Sequence, residues 1–188
     1  MQTAPPPDTV QAEATTPAVD ATVPFAFANV FAVLVFLAAG AVFLVPHAWL
    51  WDELPVPSMG FLFWPLVGLS FFVHEGLHGL GYRLGGARPG EVKYGIQWAR
   101  LMPYAHCEIP LTARAYRLAG ALPGLVLGVL PAVVGLGSGW GALTLFGVLE
   151  LGLAGGDASL LWALRRVPGD ARVIDHPTEV GCRILPPV

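Results

Sequence analysis

Basic residues are missing from the first 82 positions of this 188-residue chain, and charged side chains of either sign make up only 12% of it. Soluble domains carry about twice that share, so an ordinary water-soluble fold is excluded. A net charge of −3 lacks the positive footprint that nucleic acid binding needs, so no nucleic acid partner is expected. Cysteine is scarce too. Cys107 and Cys182 are the only two, with no C-x-x-C spacing, which argues against a disulfide framework or a cysteine-based zinc module. Residues 1–24 are rich in Pro, Ala and Thr and have no Lys or Arg. They read as a disordered tail. Without the positive n-region of a secretory signal, the first apolar stretch is expected to stay as an anchor.

What the chain has instead is apolar sequence: 55% of its residues are hydrophobic and its mean hydropathy is +0.63. Stretches at Phe25–Val45, Phe61–Tyr82, Leu118–Leu136 and Trp140–Leu164 are each long enough to span a bilayer. The ten basic residues fall between the second and third stretches (Arg83 to Arg117) and after the fourth (Arg165 to Arg183). Basic loops stay cytoplasmic, so the expected topology is N-in and C-in, and both cysteines face a compartment that keeps thiols reduced. Trp49 and Trp51 in the first external loop suit the aromatic belt at the interface.

After Gly85-Gly86 the periodicity changes. Val92, Tyr94, Ile96 and Trp98 alternate with less apolar residues, and Met102-Pro103 allows a turn into Tyr104–Ile109, which predicts a β-hairpin. It could line a cavity beside the second span and offer an edge to an extended peptide. The expected fold is therefore an all-α integral membrane protein. It has four transmembrane helices over residues 25–164, a short cytoplasmic β-hairpin between the second and third, and an extended cytoplasmic tail at residues 165–188.

The second span, FLFWPLVGLSFFVHEGLHGLGY, carries His74, Glu75 and His78. An ionisable group near the bilayer centre costs about 2.5–3.5 kcal/mol even on lenient scales, so three together require a compensating partner. On a helix His74 and His78 lie one turn apart on the same face. They form the H-E-x-x-H arrangement in which two imidazoles hold zinc and the glutamate acts as general base. The bland reading is a polar patch facing a water-filled cavity. Gly76, Gly79 and Gly81 leave room beside the ligands for a neighbouring helix or a substrate backbone.

A catalytic zinc takes three protein ligands and leaves one position open. Two carboxylates, Glu150 and Asp157, lie in the fourth span and, seven residues apart, share a face. Depth separates them. Asp157 lies about 10 Å from the end of its span, matching about 6 and 12 Å for His78 and His74, whereas Glu150 lies about 21 Å in. Asp157 is the expected third ligand, with Gly155 and Gly156 letting the fourth helix approach the second or unwind to aim the carboxylate. Glu150 is left as a proton relay or a buried polar contact. Asn29 is either an interhelical hydrogen bond or a donor near the reaction centre. His106 and Cys107 are conceivable ligands that could, with Cys182, form a separate cytoplasmic site.

HEGLH in a span, YAHCEIPL in the following segment, ALPG in the third span, GGD in the fourth and DHPTEVG in the tail resemble the zincin-peptidase family of small bacterial integral membrane proteins, itself similar to site-2 proteases. The resemblance runs from Phe61 to the C-terminus. It implies zinc as cofactor, His74, His78 and Asp157 at the metal positions and Glu75 at the catalytic one. It further implies proteolysis of a membrane protein or peptide substrate within or beside a bacterial cytoplasmic membrane. Asp157 follows a glycine where site-2 proteases usually have Asp before Gly, and no PDZ-like module is present. The rival readings are a metal-stabilised membrane scaffold or chaperone, and a metal-handling transporter. Sequence gives neither substrate nor oligomeric state.

Overall fold

The computed structural model describes residues 18–56, 60–98, 102–176 and 179–186. A short strand, β1 (Val19–Thr22), leads into helix α1 (Phe25–Trp51), followed by α2 (Gly60–Leu84). Strands β2 (Val92–Gln97), β3 (Met102–Cys107) and β4 (Leu111–Thr112) come next, then α3 (Ala113–Ser138). Helices α4 (Gly141–Leu153) and α5 (Gly155–Leu164) follow, and β5 (Arg172–Asp175) and β6 (Gly181–Ile184) complete the order. Among the described residues α1, α2 and α3 are each long and apolar enough to cross a membrane. The α4–α5 pair passes the same test together, bent by 49°.

The first helix runs on through Pro46, past the Val45 end expected from the sequence. The backbone opens into wider i→i+5 turns at Gly40–Leu44 and again at Gly124–Val129, each two residues ahead of a proline, Pro46 and Pro131. A proline cannot donate to the carbonyl four residues back and its ring crowds that carbonyl, and a π-turn absorbs the misfit without ending the helix. At the far end of the bundle Trp51 Nε1 donates to the Leu136 carbonyl at 2.8 Å, and buried His47 meets Thr144 Oγ1 at 3.0 Å. Trp49 is exposed.

Helix α2 packs along α3, α3 along α4, and α1 against both α4 and α5. Gly81 makes the α2–α3 approach possible, because a Cβ there would overlap the backbone of Ala119. This is the close helix contact that small residues permit in membrane bundles.

The all-α expectation needs correcting. Beside the anticipated hairpin, β2 paired with β3 in the register Tyr94↔Ala105, the structure has a second, four-stranded antiparallel sheet in the order β1-β6-β5-β4. Residues 99–101, between β2 and β3 in the sequence, lie outside the described residues. Val19–Thr22, within the segment read as a disordered tail, pairs with the C-terminal strand from Val19↔Ile184 to Thr22↔Gly181. Asp20 Oδ1 accepts from Arg183 Nε at 3.0 Å. Residues 1–17 of that tail are outside the described residues. The C-terminal segment, expected as simply extended, forms β5 and β6. A core of Tyr82, Cys107, Leu111, Tyr116, Leu164, Val173 and Cys182 joins this sheet to the ends of α2, α3 and α5.

Gly81→Ala is expected to destabilise the fold by about 1–3 kcal/mol through overpacking, seen as a lower melting temperature in detergent. Gly76→Ala, whose Cβ would meet open space, should show no such loss.

Candidate metal centre

On α2, Ser70, His74 and His78 recur every four residues and so line one face of the helix. Asp157, in the first turn of α5, faces them. Its Oδ2 lies 3.0 Å from His74 Nε2 and its Oδ1 3.3 Å from His78 Nε2. The imidazoles meet edge to face, with centroids 4.9 Å apart. One donor atom from each of the three residues lies within 4.8 Å of the others, the one such group among the described residues.

The donors fit a zinc ion in chemistry as well as in spacing. His78 Nδ1 lies 3.0 Å from the Ala119 carbonyl, and a carbonyl can only accept, so Nδ1 carries the hydrogen. That leaves the Nε2 lone pair of the neutral ring turned towards Asp157. A metal-binding histidine is commonly fixed in this way through its other nitrogen. Two imidazoles and a carboxylate complete a three-ligand set of the kind that leaves a catalytic zinc one open position.

Asp157 is aimed by the bend. The α4 helix ends at Leu153 and α5 begins at Gly155 at 49° to it, so the carboxylate turns inward from the first turn of a new helix. The glycines before it were expected either to bring this span close to α2 or to unwind locally and aim the carboxylate, and the break at the bend agrees with the second. Gly155 itself packs on α1, where a Cβ would overlap Ala32, and a Cβ at Gly156 would meet open space. The first span therefore braces the bend from behind.

Glu75 stands beside this group without joining it. Its carboxylate faces the backbone amide of Ala105 on β3, and one turn further along α2 the Tyr94 side chain lies directly over Gly79. The room left by Gly79 is thus filled by the hairpin, and that left by Gly81 by α3.

The auxiliary candidates go elsewhere. Glu150 is fully buried one turn deeper, its Oε1 2.6 Å from Ser70 Oγ, as a polar contact between α4 and α2. Asn29 is exposed, and its Nδ2 donates to Phe25 O of its own helix at 2.9 Å. It makes neither the interhelical bond nor the active-site contact considered from sequence. His106 Nδ1 lies 3.5 Å from Asp175 Oδ2, and the Cys107 amide donates to the same oxygen at 2.6 Å. Neither residue reaches the metal group, and no separate His106–Cys107–Cys182 site forms. Burial pushes both thiols up, Cys182 to about 12 with the Asp175 charge adding to it.

Asp175 opens the DHPTEVG segment of the tail, but sequence reasoning gave it no role of its own. It is buried, and Tyr116 Oη donates to its Oδ1 at 2.5 Å. Burial raises its carboxyl pKa above the usual carboxylate value, against the pull of the Cys107 amide and the Tyr116 hydroxyl. Its two principal partners lie 68 and 59 residues earlier, so no local pattern reveals what it contacts.

Asp157→Ala is expected to lower zinc per protein at least tenfold after purification in mild detergent, since loss even of a ligand's supporting partner costs 10–100-fold in affinity. Glu150→Gln should keep the metal. The readout is elemental analysis, with the His74→Ala/His78→Ala double variant as the empty reference.

No curated protein and no solved structure matches the chain. A family model described as "Putative zincin peptidase" matches residues 67–172, more than half of the chain, and takes in α2 with His74, Glu75 and His78, the hairpin, α3, and α4–α5 with Asp157. The chain belongs to this zincin peptidase family.

Proposed function

We propose that this protein is a zinc-dependent metalloprotease, similar to site-2 proteases, that hydrolyses peptide bonds of membrane-associated substrates at a site open to the cytoplasm. The observation that carries the reading is the convergence of His74, His78 and Asp157 beside Glu75 on a helix apolar enough to cross a membrane. Family membership supports the peptidase chemistry.

His74, His78 and Asp157 would hold the ion. Zinc so held supplies a Lewis acid, which makes water acidic near neutral pH and stabilises negative charge on a polarised carbonyl. Glu75 takes the proton from the attacking water and passes it to the departing amine nitrogen as the C–N bond breaks. The Ala119 carbonyl keeps His78 in the tautomer that presents Nε2. A membrane-spanning substrate has to unwind before its amides become accessible, because a helix satisfies its own backbone.

The proposed topology has four spans, with α4–α5 as one broken span and both termini in the cytoplasm of a bacterial cell. The pairing of β1 with β6 supports it, since strands preceding the first span and following the last can share a sheet only on one side of a membrane. β4, between α2 and α3, belongs to the same sheet. The basic residues gather on these same connections, as cytoplasmic loops do.

Glu75→Gln is expected to retain zinc while turnover falls about 10²–10⁴-fold, with uncleaved substrate accumulating in membranes of cells that carry the variant. Comparative membrane proteomics against wild type gives the measurement, and unchanged processing would remove Glu75 as the base. For the topology, reporter fusions after Gly86 and after residue 188 should read cytoplasmic and fusions at Asp52 external. A cytoplasmic signal at Asp52 would eliminate the four-span arrangement.

A further inference from the structure

Strand β3 has two edges. Met102, Tyr104 and His106 alternate with Pro103, Ala105 and Cys107, and in an antiparallel pair alternate residues turn their amides outward. The Cys107 amide points out, to Asp175, so Ala105 and residue 103 share its direction. Residue 103 is proline and has no N–H. The outer edge of β3 therefore offers two donors, and a carboxylate meets each. β3 packs against α2, where the Ala105 amide lies beside Glu75, and Cys107 donates to Asp175 of β5 at 2.6 Å.

Asp175 is itself held from two sides. Tyr116 Oη, on the helix that carries Ala119, donates to Oδ1, and His106 Nδ1 lies 3.5 Å from Oδ2. β5 is anchored by its neighbours β4 and β6 and by fully buried Val173. The strand that meets Glu75 is thus pinned two residues away by a buried carboxylate from the C-terminal segment.

We propose that Asp175 is a positioning residue for Glu75, acting through β3: it fixes the outer edge of the strand so that the Ala105 amide orients the Glu75 carboxylate beside the metal ligands. This rests on Glu75 being the base of the proposed peptidase. The C-terminal strand is then a working part of the active site. Releasing Cys107 lets β3 shift, and a displacement of about 1 Å at a catalytic group can cost about 100-fold in rate, although the metal ligands on α2 and α5 stay where they are.

The test uses the full-length chain, zinc-loaded in detergent micelles. Three quantities are measured: zinc content, hydrogen–deuterium exchange over residues 102–109, and cleavage of fluorescently labelled casein. Asp175→Ala should keep its zinc, raise exchange at Ala105 and Cys107 at least tenfold, and lower casein turnover about 10- to 100-fold. Asp175→Asn, which retains one acceptor, should fall between it and wild type. Arg183→Ala, which removes the exposed ion pair between β6 and β1, serves as the control for general weakening of the sheet and should keep its turnover per folded molecule. If Asp175→Ala does not fold, Tyr116→Phe, which removes the Oδ1 donor, carries the same comparison. Unchanged exchange at Ala105, full turnover despite raised exchange, loss of zinc, or an equal loss of turnover in Arg183→Ala would each overturn the proposal. If wild type and Glu75→Gln cleave casein equally slowly, the peptidase reading fails instead, and exchange at Ala105 alone decides whether Asp175 governs the contact with Glu75.

Discussion

The opposition of Asp157 to His74 and His78 is the constraint on which the remaining structure turns. Three polarisable groups sit among helices that are predominantly apolar, where uncompensated charge is expensive. Their contacts of 3.0 and 3.3 Å depend on two helices reaching the same depth with the right faces turned together. The bend between α4 and α5, the α2–α3 contact at Gly81 and the bracing of Gly155 by α1 all serve that meeting. Even the Ala119 carbonyl that fixes His78 comes from the stretch of α3 that Gly81 admits.

Much of this centre was legible in the sequence because its signals are local or one-dimensional. Four-residue spacing put His74 and His78 on one face, and counting the helical rise from the span ends separated Asp157 from Glu150. A single span has a fixed direction, so depth along it can be read from residue number. The glycines before Asp157 did mark a break, but sequence could not say which helix they would touch. Lateral neighbours are set by the packing of all the spans at once.

The strands beyond the hairpin were not legible for a different reason. β1 and β6 are four residues each, too short to show a period, and what makes them strands is their pairing across the length of the chain. Asp175 was hidden in the same way, since its donors belong to β3 and α3. Asn29 stood out as a polar residue in an apolar run, yet it satisfies its own helix backbone. Polarity in a span marks a need for a partner and does not reveal how near that partner is.

The division of the metal donors between α2 and α5 also has a meaning in time. A ribosome adds about 5–20 residues per second, so Asp157 is added roughly 4–16 s after His78, when residues 79–157 have been made. Until then the nascent chain has His74, Glu75 and His78 but no Asp157 to meet them. β5, which holds β3 against Glu75, is synthesised later still. A truncated or stalled chain therefore lacks the third member of the His74–His78–Asp157 group.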